Sequence, residues 1–275
     1  MGRQVGVPVT RGERFDDAAA RRLEAVYQTP DVIAQRHRTL GALEPREGER
    51  ILDVGAGPGL LMADMAAVVG PAGHVTGLDA SESMLAAAHR RLDALPTADH
   101  ITLVQGDATE LPLPDRLFDA ATSTQVYEYV PDVDRALAEL HRVLRPGGRA
   151  LILDTDWASI VWNASDQARM DRVLAAWTDR FADPHLPRSL SRRLRDTGLR
   201  IRGRQVLALL NAEYDPNSYS VVNIETIGAY VTGRHGLTRD EVEAWQRDLA
   251  QLGAEGSYFF SLNRYLFLAE RPDSR

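Results

Sequence analysis

The stretch Ile51-Leu52-Asp53-Val54-Gly55-Ala56-Gly57-Pro58-Gly59, with Leu60-Leu61-Met62-Ala63 directly behind it, decides the fold. Residues that read as a short buried strand run into three glycines at alternate positions and then into an apolar helix-forming run. Glycine is needed at such a turn because the backbone takes angles that a Cβ forbids and has to approach a ligand closely. The helix behind it starts with unpaired N–H groups. A dinucleotide site uses a related turn, so the stretch alone leaves that alternative standing. Two details bear on the choice. The spacing is G-x-G-x-G rather than G-x-G-x-x-G, with Pro58 at the helix start, and the acidic Asp53 precedes the glycines. A carboxylate there suits a ligand carrying an ammonium group better than a pyrophosphate.

Around this turn, strands are predicted near 50–54, 74–79, 101–105, 118–123 and 149–154, with helices near 59–69, 81–94 and 132–144. Such alternation implies a parallel sheet with helices on both faces. Pro146-Gly147-Gly148 reads as the turn that stops a helix and launches a strand. Beyond 155 the alternation weakens, with helices near 165–180, 188–197, 218–232 and 238–252 and strands near 200–209 and 257–269. The final strand is expected to run antiparallel beside its neighbour, and the helical insertion between the last two strands, about 211–253, to form a lid. Upstream, a helical stretch over 17–43 is interrupted near Pro30. Residues 1–16 are polar and contain Gly2, Gly6, Pro8 and Gly12, a flexible arm.

Two further strand ends carry acidic residues. Asp79, in Gly77-Leu78-Asp79-Ala80-Ser81, closes the second strand, where a carboxylate accepts hydrogen bonds from a ribose diol. Asp107, in Gln105-Gly106-Asp107-Ala108, closes the third, where it can accept from an adenine amine while the Ala108 N–H donates to a ring nitrogen. Each aspartate alone reads equally as a cap or turn residue. In order, at successive strand ends, they converge on the crevice where open α/β sheets bind ligands.

Residues 51–154 resemble the core of class I S-adenosylmethionine (SAM)-dependent methyltransferases, particularly the group related to the ubiquinone/menaquinone C-methyltransferases. The resemblance rests on Ile51–Gly59, Leu78-Asp79, Gly106-Asp107-Ala108, Phe118-Asp119-Ala120 and the run Leu140-His141-Arg142-Val143-Leu144-Arg145-Pro146-Gly147-Gly148. It implies a Rossmann-like three-layer α/β sandwich with a seven-stranded, mostly parallel sheet and an antiparallel last strand. It divides the chain into cap helices over 17–47, a SAM-binding core over 48–155 and an acceptor-binding region over 156–275. SAM is the implied cofactor. Asp53, Gly55, Ala56, Gly57 and Gly59 would line its methionine end, Asp79 with Ala80 the ribose, and Gly106, Asp107 and Ala108 the adenine. Thr124 would sit near the methionine carboxylate or sulfonium, and Tyr27 would close over the same end. Met84 belongs to the same candidate set, although its spacing also suits core packing.

SAM brings its own activated methyl group, so the chain mainly has to align the reactants and exclude water, and no catalytic triad is visible. A phenol or acidic carbon as acceptor calls for a base. The candidates are Tyr127, in the segment after the fourth strand, Asp156, in Asp154-Thr155-Asp156-Trp157, and His185, in Asp183-Pro184-His185-Leu186-Pro187. Loop histidines are more often simply solvated, yet an unperturbed imidazole is the best base available. Tyr127, Trp157, His185, Tyr230 and His235 are the acceptor-binding candidates. Asp154 and Asp156 share a strand face without a third ligand nearby, so no metal is expected.

Composition narrows the acceptor. The formal net charge is −7 and the sequence pI about 5.5, against a phosphate-tracking surface. All 32 basic residues are arginine, and those at 188, 192, 193 and 195 read as a solvated helix face. There is no cysteine, which excludes disulfides, thiolate metal sites and cysteine nucleophiles. The Asn/Asp-Pro-Pro-aromatic pattern of base- and glutamine-amine methylation is missing after the fourth strand. No apolar run suggests a membrane span and no signal pattern opens the chain, so a cytoplasmic protein is expected, with a homodimer as the default assembly. The function expected is methylation of carbon, oxygen or nitrogen on a small apolar or aromatic metabolite or natural product, in secondary metabolism. The alternatives are an RNA or protein methyltransferase and a catalytically silent SAM-fold binding protein.

Overall fold

The computed structural model describes residues 24–273; the arm at 1–16 and the start of the cap helices fall outside them. The strands are β1 (Arg50–Val54), β2 (His74–Asp79), β3 (Ile101–Gln105), β4 (Phe118–Thr124), β5 (Leu144–Thr155), β6 (Val161–Trp162), β7 (Arg200–Asn211) and β8 (Phe260–Glu270). They form one sheet in the order β3-β2-β1-β4-β5-β8, with β7 on the outer edge of β8. The first five run parallel, and β8 is antiparallel to both β5 and β7. The expected seven strands are therefore present, with an antiparallel last one. The two-residue β6 is additional, and pairs only with Ser261 and Phe260.

β5 starts earlier than its sequence indicates. Phe118 of β4 pairs with Leu144, but the next pair is Ala120 with Arg149, so Arg145–Gly148 bulge out of the ladder. Gly147 takes φ 74° there. Its N–H donates to Arg271 O, and the Arg271 N–H donates back to Gly148 O, both at 2.8 Å. The Pro-Gly-Gly signal thus marks a clasped bulge rather than the strand's start.

The helices are α1 (Pro30–Leu43), α2 (Leu60–Val69), α3 (Glu82–Leu92), α4 (Val133–Val143), α5 (Gln167–Thr178), α6 (Pro187–Asp196), α7 (Tyr219–Val231) and α8 (Arg239–Ala254). Apolar side chains of α2 and α3, including Met62, Met65 and Ala88, pack on Ile51, Val75 and Leu151 of one sheet face. On the other face Leu137, Leu140, Leu190 and Leu194 of α4 and α6 cover Leu52, Ile152 and Phe267. Each of the larger buried side chains contributes about 1.5–3 kcal/mol.

A third cluster joins α5, α7 and α8 through Met170, Trp177, Ile227 and Trp245, and takes in Phe260 and Leu262 of β8 and Val26 and Val32 near the N-terminal helices. The helical insertion expected as a lid is therefore continuous with the sheet. Asp31 at the start of α1 fastens it, accepting from the Tyr219 N–H at 2.9 Å and Asn211 Nδ2 at 3.0 Å. α8 begins with a reciprocal cap: the Thr238 N–H donates to Glu241 Oε2 at 2.9 Å and the Glu241 N–H to Thr238 Oγ1 at 3.3 Å.

Candidate functional site

β1 delivers the glycine turn to the C-terminal edge of the sheet. The Gly55 and Ala56 N–H groups both donate to Leu78 O, at 2.7 and 3.0 Å, which straps the turn to the end of β2. Gly55 and Gly57 take φ of 73° and 53°, left-handed conformations that favour glycine. They differ in surroundings. A Cβ on Gly55 would enter the Val126 side chain, whereas one on Gly57 would meet nothing within 4 Å. Gly57 thus presents bare backbone to open space.

Two carboxylates flank this backbone. Asp79 accepts from the Gly57 N–H at 2.8 Å and the Ser81 N–H at 2.9 Å, joining the turn to the end of β2. Burial pushes its carboxyl above the usual range despite these donors. Asp53 is 2% exposed and accepts from Thr122 Oγ1 at 2.6 Å. Burial raises its carboxyl to about 7; the Thr122 hydroxyl opposes this and the charge of Asp79 adds to it.

Tyr27, Gln35, Asp53, Gly57, Thr124 and Gln125 line the cavity that opens here, about 590 Å³ with the solvent at its mouth included. Gly55 and Ala56 line it as well. Gly106 lies one strand along, its N–H donating to Asp79 O at 3.1 Å. Asp107 is exposed and turns Oδ1 to the Thr109 N–H and hydroxyl, at 2.7 and 2.8 Å. Neither they nor Gly59, Asp79, Ala80, Met84 and Ala108 line the cavity; Asp79 reaches it only through its bond from the Gly57 N–H. Met84 is buried in α3, whose N-cap is Ser81.

Beyond Thr124 the chain turns sharply at Gln125, φ 56°, whose Nε2 donates to Thr155 Oγ1 at 2.7 Å. Glu128 and Asp154 are buried behind it. Glu128 Oε2 accepts from the Thr155 N–H at 3.0 Å, and Asp154 Oδ1 from the Val126 N–H at 3.1 Å. Burial pushes Glu128 up to about 7 and Asp154 well above the carboxylate range. Arg264 of β8 donates to Gln35 Oε1, and its guanidinium lies 4.8 Å from the centre of the Tyr219 ring. Burial also raises the Tyr27 hydroxyl, to about 12, against the nearby charge of Arg264.

The three candidate bases lie elsewhere. Tyr127 is 1% exposed, packed in the core beneath α4, and burial raises its hydroxyl further. Asp156 accepts from Arg188 Nε at 2.7 Å and Nη2 at 3.0 Å, and sits 3.0 Å from His185 Nδ1. Burial alone would raise its carboxyl, but the bonds from Arg188 and His185 outweigh that and hold it below the usual range. None of these three lines the cavity. Trp157 stacks on Phe181 at 4.6 Å and meets Trp177 edge-on at 5.8 Å, while Tyr230 meets Trp177 edge-on at 5.7 Å. His235 lies between α7 and α8, with Nε2 2.6 Å from Asp179 Oδ2. Among the described residues no group of three or more such side chains could hold a metal ion, and no helix is long and apolar enough to cross a membrane.

Reasoning from the sequence missed Gln35, Gln125, Glu128 and Arg264. Two signals were available. Glu128 is a carboxylate between two tyrosines just past a strand end, and Arg264 interrupts the period-two apolar face Phe260-Leu262-Leu266.

The family described as "Methyltransferase domain" matches residues 52–152, the span from β1 through most of β5 that carries the glycine turn and both flanking carboxylates. This segment matches a methyltransferase domain. A demethylmenaquinone methyltransferase of Symbiobacterium thermophilum is 46% identical over 109 residues, 40% of this chain and 43% of that protein. An uncharacterized 37.1 kDa protein from a Streptomyces fradiae transposon is 38% identical over 144 residues, 52% of this chain and 41% of that protein. The match spans less than half the length of either relative. Among solved structures, phosphoethanolamine N-methyltransferase 2 of Haemonchus contortus in complex with SAM aligns with a TM-score of 0.62 at 19% identity. That alignment covers 94% of this chain and 58% of the other, and shows that the fold continues beyond the methyltransferase domain into the helical insertion.

Proposed function

We propose that the methyltransferase domain binds SAM and that the chain transfers its methyl group to a small molecule with an apolar or aromatic body. The observation that carries this is the bare backbone of Gly57, open to the cavity and flanked by Asp53 and Asp79. The donor set fits SAM group by group. Asp53 suits an ammonium group. Asp79 keeps a further lone pair on each oxygen for ribose hydroxyls. Thr124 and Gln125 face the methionine end, and Gly106–Ala108 extend the edge toward the adenine. SAM supplies an electrophilic methyl group, and the chain contributes alignment and the exclusion of water. Tyr27, on the N-terminal side of the cavity, serves that exclusion.

In this proposal residues 48–155 hold the cofactor, while 156–275, with the helices inserted over 211–253, shape the acceptor site under the cap helices of 17–47. The aromatic cluster around Trp157, Trp177 and Tyr230 supports an apolar acceptor, as does the similarity to the Symbiobacterium protein, whose name specifies a demethylmenaquinone. The net charge of −7 weighs against nucleic acid.

The test is calorimetric titration with SAM and S-adenosylhomocysteine (SAH), followed by labelled SAM with a panel of quinones, polyketides, terpenoids and amines. Asp79→Ala should weaken SAM binding strongly. A melting temperature raised by NAD and not by SAM overturns the assignment. Sedimentation of the same sample tests the homodimer.

A further inference from the structure

β7 is an edge strand: among the described residues it pairs with β8 and with no other strand. Which of its backbone groups face outward follows from β8. Asn263 of β8 stands opposite Ala208. The Asn263 N–H donates to Ser159 Oγ at 3.0 Å and the Asn263 carbonyl accepts from the same hydroxyl at 3.3 Å, both on the side of β5 and β6. Asn263 thus turns both groups away from β7, and its pair with Ala208 is one of the kind that exchanges no ladder bonds. Ala208 therefore presents its own N–H and C=O to the open edge. By the same alternation Arg204, Val206 and Leu210 do so too, while Leu207 and Leu209 bond to β8. The Leu210 carbonyl accepts from Asn211 Nδ2 at 3.1 Å and keeps a second lone pair.

The side chains of these residues lie on an uncovered face. Val206 is 56% and Leu210 60% exposed, and Ala208 between them is exposed as well, whereas Leu207 and Leu209 are buried on the opposite face. Long edge strands are ordinarily blunted by charge, proline or a bulge. β7 has its bulge between Ile201 and Gly203 and its arginines at 200, 202 and 204, and nothing of the kind from Gln205 to Leu210.

We propose that this edge pairs with β7 of a second copy of the chain, antiparallel, about a two-fold axis through Ala208, so that two sheets join into one. The strand is complementary to itself there. Val206 and Leu210 lie symmetrically about Ala208, so the axis sets Val206 of each copy opposite Leu210 of the other. The outward backbone groups coincide in the same register, Ala208 with Ala208 and Val206 with Leu210, as the closely bonded pairs of an antiparallel ladder require. Charge agrees with it. Arg204, which donates to the Ser191 hydroxyl at 2.9 Å, stands at one end of the uncharged run, and the exposed Glu213 and Asp215 lie just beyond the other. Antiparallel pairing brings each end to its opposite. Such a contact uses the same patch on both copies and closes at two. It goes beyond the proposed methyl transfer and does not depend on it.

Sedimentation velocity of the full-length protein, from about 1 to 100 μM, should show a monomer–dimer equilibrium. Val206→Lys and Leu210→Glu, made singly, should each weaken the dimer at least about tenfold, because symmetry places every substitution in the contact twice. An equimolar mixture of the two variants should recover the dimer, since the register sets the introduced ammonium opposite the introduced carboxylate. Ala208→Pro removes an outward N–H while sparing the ladder to β8, and should give a monomer. A wild-type monomer at every concentration overturns the proposal and leaves the edge to another protein or to this chain's own residues 1–23. A dimer that survives Val206→Lys and Leu210→Glu places the contact on another surface and overturns it equally. No recovery in the mixture overturns the register about Ala208. The wild-type measurement and the mixture stand even if Ala208→Pro fails to fold. No ligand enters these measurements, so a failure of the methyl-transfer reading leaves them untouched.

Discussion

Alanine at Gly57 and at Gly55 separates the cost of the turn's backbone from the cost of filling its cradle. At Gly57 a φ of 53° costs alanine about 1–2 kcal/mol, and since its Cβ meets nothing within 4 Å, that is the whole expected loss of stability. At Gly55 the φ of 73° brings a similar cost, and the Cβ also drives into Val126, 2.9 Å from Cγ1 and nearer still to Cγ2. Overpacking of that kind adds about 1–3 kcal/mol, for a total of about 2–5 kcal/mol. Urea unfolding should therefore rank Gly55→Ala well below Gly57→Ala. Titration with SAH should show the opposite emphasis: relative to its small stability loss, Gly57→Ala gives up at least about tenfold in affinity, about 1.4 kcal/mol, because its methyl occupies ligand space. Wild-type affinity for SAH in Gly57→Ala would refute the cradle. A loss of stability there as large as at Gly55 would refute the open space.

SAM affinity should rise about tenfold from pH 6 to pH 8, because the ligand's ammonium favours ionised Asp53, whose carboxyl titrates near 7 in the free protein. Calorimetry in buffers of different ionisation enthalpy should record proton release below pH 7, and Asp53→Asn should flatten the profile; a flat wild-type profile removes Asp53 from the ammonium site. For stability the sign is reversed. A carboxyl raised on folding contributes most at low pH, and that contribution is lost as pH rises through 7, so Asp53→Asn should gain on wild type in ligand-free melting above pH 7. His185→Ala should leave turnover within about twofold, since His185 lies outside the cavity beside an Asp156 already bonded to Arg188; a hundredfold loss would restore it as the base. Thr238→Ala should remove the cap of α8 and cost about 1 kcal/mol in chemical denaturation, with SAH affinity unchanged.

The cofactor half was legible because its signals are local. Val54 leads into Gly55, and Leu78 into Asp79, within a few residues, and each strand end fixes its own turn. The helices of the insertion were also visible, since their apolar spacing repeats over three turns or more. β6 was not, because two residues carry no period, and its pairing depends on Phe260 arriving from far along the chain. The start of β5 was misplaced because Pro146-Gly147-Gly148 has the same local chemistry in a turn and in a bulge, and Arg271 decides between them. Candidate bases were chosen by residue type, but burial and partners decide reactivity: Tyr127 fell into the core and Asp156 into an ion pair. Arg264 and Gln35 come together across 229 residues of sequence, a proximity no window can show.

The place of β8, last of the described strands yet hydrogen-bonded between β5 and β7, sets an order for synthesis. As the chain emerges from its N-terminus, β1 to β5 can close the cofactor crevice through short crossovers. The outer edge of β5 then stays open, and β7 has no neighbour, until Phe260–Glu270 arrives. An unpaired edge is a template for association with another chain, so this interval is the one in which a nascent molecule is most exposed to aggregation. If SAM binds as proposed, on the earlier strands, it can act throughout that interval as a stabilising ligand. The strands that form the crevice thus come together before β8 closes the sheet behind them.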